Sequence, residues 1–217
     1  MKKKIALVLL CLVVVFAAGC GNKTSDLPVL EDIELAANME EASSGGYTAQ
    51  YDADQWVFDD TLGFAIYDKE IYESGNPDGN CPNVNVVVSQ AYKGPLTEDD
   101  MDSIISQVES LGITGFKIDM NEMRAFMDEP VIYYEATVAL TDDMIDLMIE
   151  QGAITEADIE ALGGREALME SGSTNQAAVC AIVDGNIIIV TGTYYDDAQK
   201  DTIVDAIKML IKTGSVG

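Results

Sequence analysis

Hydrophobic and polar residues follow two different periods along the chain, and the two periods predict strands and helices. Strands are predicted at 55–59, 62–67, 83–92, 113–120, 132–140, 176–183 and 186–194, and a period of two, typical of half-buried strands, occurs at 113–120 and 132–140. Apolar residues at helical spacing occur at about 97–111 and 197–212, and short acidic helices are predicted at about 142–151, 156–162 and 165–170. The middle and end of the chain therefore alternate between hairpins and helices.

Local signals support these boundaries. Thr97 precedes Asp100 by three residues, a pattern typical of a capped helix start, and Thr141 and Thr155 stand at the starts of two acidic helices. The dipeptide Asp184-Gly185 predicts a tight hairpin turn. Because few connections are long enough to join parallel strands, we expect an α+β fold, a mostly antiparallel sheet flanked by helices in an α/β/α sandwich.

The predicted domain organisation has three parts. Residues 49–217 form a single globular α+β domain with a helical insert at about 141–172. Residues 20–48 read as an acidic flexible tether that ends at Ser43-Ser44-Gly45-Gly46, with a thin helical stripe between 28 and 42. A flexible tether of this length would have an end-to-end distance of roughly 30 Å.

The first residues read as an export signal. Three lysines precede an apolar run of about 14 residues, which is shorter than the 20 or so that a membrane-spanning helix needs. The run ends in Ala17-Ala18-Gly19-Cys20, which resembles the lipobox of bacterial lipoproteins. The resemblance implies removal of signal peptide 1–19, a lipid (diacylglycerol, with palmitate-like chains) on Cys20, and a place on the extracytoplasmic face of the bacterial cell membrane. The alternative is an ordinary secretory signal with an incidental Cys20.

Charge excludes several classes of function. The chain has 12 basic and 38 acidic residues, a formal net charge of −26, and no histidine. We expect no nucleic-acid partner, because affinity for a phosphate backbone comes mostly from Lys and Arg. Histidine-dependent triads, dyads and metal sites are excluded as well. The expected partners are the membrane, through the lipid anchor, and a protein.

Two cysteines remain after the signal peptide and Cys20 are set aside. An exported location permits a disulfide between Cys81 and Cys180, and two separate thiols are the alternative.

Carboxylates are abundant, but none forms a recognised catalytic or metal motif. Most clusters fall in the first turn of a predicted helix, where negative charge is favoured. We predict no catalytic residues, no cofactor and no metal; the weak candidates for Ca²⁺ are Asp52, Asp54, Asp59 and Asp60. A hydrolase that uses paired carboxylates is the catalytic alternative.

Four aromatic side chains are candidates for a ligand surface that stacks on a sugar or peptide: Trp56, Tyr133, Tyr194 and Tyr195. Strand aromatics also stabilise cross-strand pairs without any ligand, so a purely structural role is the alternative.

The globular region resembles the PsbP/Mog1-like domains of bacterial lipoproteins. The likeness rests on Trp56 and the Gly-Phe-Ala-Ile sequence at 63–66, the valine-rich strand at 83–88, a long amphipathic helix, the strand end at 189–194 and a C-terminal helix. The resemblance implies a central antiparallel sheet with flanking helices, a non-enzymatic binding or assembly role, and no active residues. A calcium-stabilised binding module and a transporter's solute-binding component are further alternatives.

Overall fold

A seven-stranded antiparallel sheet forms the centre of the protein. The computed structural model describes residues 26–61, 63–75, 80–110, 115–150 and 154–217, so the predicted signal peptide and Cys20 lie outside the described residues. The strands are β1 (Met39–Ser44), β2 (Tyr47–Asp52), β3 (Trp56–Asp59), β4 (Phe64–Asp68), β5 (Asn83–Ala91), β6 (Phe116–Phe126), β7 (Glu129–Val138), β8 (Thr174–Val183), β9 (Asn186–Tyr194) and β10 (Ser215–Val216). The helices are α1 (Lys69–Ser74), α2 (Glu98–Ser110), α3 (Asp142–Glu150), α4 (Glu156–Ala161), α5 (Arg165–Ser171) and α6 (Lys200–Thr213), which follows a 3₁₀ turn at Asp197–Gln199.

Strand order confirms the predicted fold class. The large sheet has the order β3-β4-β5-β9-β8-β7-β6, and a second sheet has the order β1-β2-β10. Every pair of neighbouring strands in both sheets is antiparallel. The molecule is therefore an α+β protein with a mostly antiparallel sheet, as the predominance of hairpins predicted.

The two faces of the large sheet carry two separate cores. On β8 and β9, Val179 and Ile188 lie in a core with Ile207 of α6, whereas Cys180 and Ile187 lie in a core with Ile104 of α2. Because successive strand residues point to opposite faces, a continuously apolar strand contributes alternate side chains to each of the two cores. Helices thus cover both faces, which gives the α/β/α sandwich that was predicted.

Helix α6 lies very close to β9. Its apolar residues recur at helical spacing, and Ile203, Ile207 and Leu210 are fully buried. Gly192 makes the close approach possible, because a Cβ at this position would fall well inside contact distance of the Ile203 Cγ2 atom. The helix therefore packs against the sheet backbone itself at this point.

Residues 39–48 correct the predicted tether. They form β1 and the start of β2, and the helix predicted between 28 and 42 is not present. Gly45 and Gly46, with φ angles of 61° and 79°, make the tight turn of a β-hairpin, although their sequence resembles a flexible linker. The Tyr47 hydroxyl donates to the Leu210 carbonyl at 2.7 Å, which joins the hairpin to α6.

Residues 26–38, here called the strap, are also bound to the domain. The Leu30 side chain is buried, and its N–H donates to the Ala125 carbonyl at 2.8 Å. Lys212 Nζ donates to both carboxylate oxygens of Asp32 and to the Ile33 carbonyl, each at 2.8 Å. The globular domain accordingly includes the strap, and the predicted boundary at residue 49 is wrong.

The predicted helical insert is present as α3, α4 and α5. Three buried isoleucines, at positions 145, 154 and 159, form a cluster separate from both cores of the sandwich. Thr155 and Asp158 cap the start of α4 reciprocally, as the sequence pattern predicted for Thr155. None of the helices in the described ranges has the length and apolar character needed to cross a bilayer.

Candidate functional site

A shallow groove runs between the strap and α6, with Trp56 on its floor. Its volume is about 190 Å³. Four strap residues form one wall and four residues of α6 form the other. The full lining is Ile33, Glu34, Leu35, Ala36, Asp52, Gln55, Trp56, Thr202, Asp205, Ala206 and Met209.

The strap wall is held in place from behind. The ammonium group of Lys212, which hydrogen-bonds to Asp32, and the Ile33 N–H hold the pKa of the Asp32 carboxyl below its ordinary value of 3.8. Ile33 packs against the α6 side of the sandwich core, and the exposed Asn38 side chain donates to Asp54 at 2.9 Å. These contacts lie on both sides of residues 34–36, so they fix this wall at its two ends.

The floor belongs to the rigid part of the molecule. Trp56 is only 3% exposed and begins β3, whose other residues pair with β4. Phe58, two residues further along β3, stacks on Tyr51 with ring centroids 6.4 Å apart and touches Phe64 at 5.1 Å. The indole is therefore held by strand pairing and by burial in the same core as these aromatic rings.

The polar lining of the groove is acidic. Glu34, Asp52 and Asp205 lie around it, and no Lys or Arg is among its lining residues. Asp205 is paired with Lys208. Among the ion pairs formed by the described residues, none involves Glu34 or Asp52. The groove thus carries two carboxylates, Glu34 and Asp52, that no ion pair of the described residues compensates.

The four aromatic residues predicted as a ligand surface do not share one. Tyr133 and Tyr194 are buried, at 2% and 4% exposure, because the strands β7 and β9 turn them toward the α6-side core. Tyr195 is half-buried, and burial raises its pKa to about 12. The prediction of a common stacking surface is wrong, and of the four only Trp56 lines the groove.

Tyr133 has a structural role of its own. Arg124 lies over its ring, 4.0 Å from the centroid, and its hydroxyl donates to Glu135 at 2.7 Å. Burial and the Glu135 hydrogen bond raise the pKa of Tyr133. Glu135 also accepts from Lys200 at the start of α6, so this chain of contacts ties β6 and β7 to the helix.

The four aspartates considered for Ca²⁺ do not converge. Asp52 ends β2 and Asp54 lies in the turn before β3, whereas Asp59 is the last residue of β3 and Asp60 follows it. The strand from Trp56 to Asp59, about 10 Å long, therefore lies between the two pairs. Asp59 accepts from the Thr61 N–H and from the Tyr72 hydroxyl at 2.6 Å. In the described part of the chain, no three cysteine or carboxylate side chains are grouped so that they could hold a metal ion.

Cys81 and Cys180 are unbridged thiols in different parts of the fold. Cys180 lies in β8 beside Ile189, which pairs with Val87 of β5, whereas Cys81 precedes the start of β5. Six residues of strand, about 20 Å, separate position 87 from position 81, and a disulfide requires Cα atoms within about 7 Å. Burial raises the pKa of the Cys81 thiol to about 12 and raises that of Cys180 further.

Sequence reasoning singled out Trp56 and, as a weak calcium candidate, Asp52, but missed the rest of the groove. The strap was read as part of a tether, and α6 was read as one of the helices that flank the sheet. Ala206 and Met209 make the apolar stripe of α6 wider than packing against the sheet alone requires. A wide stripe is the sequence signal that α6 touches a second element, here the strap and β2.

The fold and the groove together define the class of this molecule, an acidic α/β/α sandwich with a shallow surface groove. No protein-family model matches the chain, and no curated protein matches it in sequence.

Solved structures with a similar fold exist. One is the solution structure of cyanobacterial PsbP (CyanoP) from Synechocystis sp. PCC 6803, at 13% identity and a TM-score of 0.46, over 87% of this chain and 99% of that one. Another is the Ran-binding protein Mog1p of Saccharomyces cerevisiae, at 7% identity and a TM-score of 0.43, over 83% of this chain and 96% of that one. At such identities the likeness concerns the fold and says nothing about what this chain binds.

Proposed function

We propose that this protein is a lipid-anchored, extracytoplasmic, non-catalytic binding or assembly module, and that it takes a protein or small ligand in the groove between the strap and α6. The observation that carries the proposal is the groove itself. Two distant parts of the chain, residues 33–36 and 202–209, meet over Trp56 and leave a concave surface with a rigid floor. Concave sites with a few polar groups on their rim are the usual places for ligands.

The anchor and the strap together set the working distance from the membrane. Leu27 of the strap packs against the domain, so seven peptide steps separate Cys20 from this contact. Their fully extended length is at most about 25 Å. An acylated Cys20 would therefore hold the domain close to the lipid headgroups, where a binding module would meet membrane-bound partners.

A non-catalytic role fits the chemistry of the groove. Its acids, Glu34, Asp52 and Asp205, have neither a histidine nor a nearby thiol among the lining residues to act with them. The net charge of −26 argues against nucleic acid as the partner. A carboxylate-based hydrolase or a calcium-stabilised module would instead show glycan cleavage or a melting temperature that depends on Ca²⁺.

The anchor is tested by metabolic labelling with a clickable fatty acid in a bacterial host. Wild-type protein should be labelled and should stay with membranes after a high-salt wash, whereas Cys20→Ser should not be labelled. Cys11→Ser, in the predicted signal peptide, is the matched control and should behave like wild type. An unlabelled wild-type protein in the medium would refute the anchor.

The binding site is tested by photo-crosslinking in intact cells. A photoreactive amino acid replaces Leu35 on the groove wall or Leu162 on the insert, two exposed leucines at 41% and 52%. A specific adduct is expected from position 35 and not from position 162. Adducts at 162 alone, or none at either position, would contradict a binding role for the groove.

A further inference from the structure

The end of the chain that leads to the predicted anchor joins the domain at an edge with exposed apolar side chains. We propose that this edge, formed by Pro28 and Val29 of the strap and by Met127 of the β6–β7 turn and here called the lipid edge, is the surface of the domain that touches the phospholipid bilayer. This inference rests on the proposed lipid anchor and adds to it a contact surface on the folded domain.

Backbone hydrogen bonds bring the two parts of the lipid edge together. The Ala125 N–H donates to the Pro28 carbonyl at 2.9 Å, and the Leu30 N–H donates to the Ala125 carbonyl at 2.8 Å. Val29 and Ala125 therefore lie side by side as a parallel bridge. Met127 is two residues beyond Ala125, about 7 Å along the strand direction. The strap and the turn thus present one continuous edge.

The side chains of the lipid edge are unusually exposed for apolar residues. Four large apolar side chains of the described residues are exposed, and two of them, Val29 at 65% and Met127 at 52%, lie on the lipid edge. Pro28 beside them is exposed as well. Single exposed apolar residues need no explanation, whereas exposed apolar residues that are neighbours indicate an interaction site.

The backbone makes Met127 an unfavourable residue for its position. Phe126 pairs with Glu129, so Met127 and Asp128 are the two central residues of the hairpin turn, with φ angles of 52° and 65°. Gly, Asn and Asp adopt this left-handed conformation most readily, and other residues do so at a cost. Because half of the Met127 side chain is exposed, core packing does not account for an apolar residue here. A contact outside the domain would account for it.

The length of the preceding chain identifies the bilayer as the occupant. Leu27 packs against the domain, and seven peptide steps, at most about 25 Å, separate it from Cys20. A lipid on Cys20 would therefore keep the lipid edge beside the headgroups. A few side chains are too little to hold a free protein on a membrane, but an anchor supplies the high effective concentration at which a weak contact suffices.

The charges around the lipid edge restrict the kind of bilayer. Four exposed acidic side chains flank it: Asp26, Glu31, Asp128 and Glu129. An anionic membrane surface would repel them. The contact should therefore be strongest on a zwitterionic bilayer, and added salt should strengthen it on an anionic one.

A fluorophore at position 127 tests the contact. Acylated protein with Met127→Cys or Leu162→Cys is labelled with bimane and reconstituted in phosphatidylcholine vesicles that carry a nitroxide quencher just below the headgroups. The two positions are equally exposed, at 52%. The introduced thiol is the one that reacts, because burial raises the pKa of Cys81 to about 12 and Cys180 is fully buried. We expect strong quenching at position 127 and little at position 162. Phosphatidylglycerol in the vesicles should reduce the quenching at 127, and salt should restore it.

A second variant removes the influence of a label on the turn. Bimane is placed at Val29→Cys instead, and Met127→Asn is added. Asparagine suits the left-handed position but is not apolar, so the quenching at position 29 should fall to a small part of its former value. Leu162→Asn in the same labelled protein is the matched control and should leave the quenching unchanged.

The outcomes separate the lipid edge from the anchor. Equal quenching at 127 and 162 would refute the lipid edge, and so would undiminished quenching at 29 after Met127→Asn. If the protein carries a fatty acid and floats with the vesicles but position 127 is not quenched, the lipid edge is wrong while the anchor stands. A Cys20 that carries no fatty acid would remove the anchor and this inference with it.

Discussion

The sandwich and the helical insert are held together in different ways. In the sandwich, strand pairing joins every element of the large sheet, and large side chains such as Ile188 and Ile207 are fully buried. In the insert, three buried isoleucines and the ion pairs of Arg165 join three short helices. The same chain therefore contains a sandwich that is packed as one cooperative unit and an insert whose helices are held together by a small cluster of their own.

The insert also carries a large excess of negative charge. Residues 141–172 contain nine acidic residues and one basic residue, Arg165. Its guanidinium lies 2.7 Å from Asp146, 3.2 Å from Glu156 and 3.5 Å from Asp142. One half-buried arginine thus links α3, α4 and α5, and ion pairs with exposed partners such as these contribute little stability each. We expect the insert to open locally at a lower free energy than the sandwich.

The largest effect is expected from Ile207→Ala in α6. This side chain is fully buried in the α6-side core, and its loss leaves a cavity in close-packed surroundings. The free energy of unfolding should fall by about 2–5 kcal/mol, measured by urea denaturation with Trp56 emission. A loss below about 1 kcal/mol would mean that the sandwich is not the cooperative body described above.

Gly192→Ala should have the next largest effect. Its new methyl group would collide with Ile203 and push α6 away from β9. Overpacking of this kind costs about 1–3 kcal/mol in the same denaturation experiment. Gly217→Ala is the control, because nothing lies near its Cβ position, and its stability should equal that of wild type.

Ile159→Ala should show that the helical insert opens independently of the sandwich. The residue is 2% exposed in the cluster of the insert. Hydrogen exchange should show lost protection for the amides of α3, α4 and α5, whereas the amides of β8 and β9 keep theirs. If β8 and β9 lost protection to the same extent, the insert would belong to the cooperative unit.

Arg165→Gln should have the smallest effect, confined to the insert. Hydrogen bonds to Asp146 and Glu156 raise the pKa of Arg165 above its ordinary 12.5. A raised pKa means that the stabilisation is fully present below the ordinary value and is lost only at still higher pH. The protection factors of the insert amides, which are corrected for the base catalysis of exchange, should therefore not change between neutral and moderately alkaline pH.

The salt dependence of amide exchange provides the control for the Arg165→Gln prediction. Added salt should speed amide exchange in the wild-type insert and change the Arg165→Gln protein less, because the ion pairs are already absent there. Lys117→Gln removes the exposed pair with Asp119 on β6 and should leave exchange in the insert unchanged. An insert equally sensitive to salt in all three proteins would refute the role of Arg165.

Much of the secondary structure could be predicted from the sequence because its signals are local. The Asp184-Gly185 hairpin, the stripe of α6 and the capped start at Thr97 are all present in the structure. The β6–β7 connection was less visible. The predicted strands stop at 120 and resume at 132, whereas β6 and β7 continue to a tight turn in which Met127 and Asp128 have φ angles of 52° and 65°.

The groove was harder to predict, because its parts are distant in sequence. Leu35 and Met209 are separated by more than half of the chain and acquire a common surface only when the strap lies on α6. The burial of Tyr133 and Tyr194 was equally hard to predict, because the residue pattern of a strand does not determine which of its faces a helix will cover.

Local chemistry was sufficient for the class of fold, the short-range turns and the excess of negative charge. A period of two or of 3.6 residues, a cap or a turn dipeptide depends on neighbours within a few positions. Whether residues 39–48 would be linker or strand depended on partners far along the chain, β10 and the Leu210 carbonyl. Strand pairing and burial are properties of two surfaces in contact, and a single stretch of sequence specifies only one of the two surfaces.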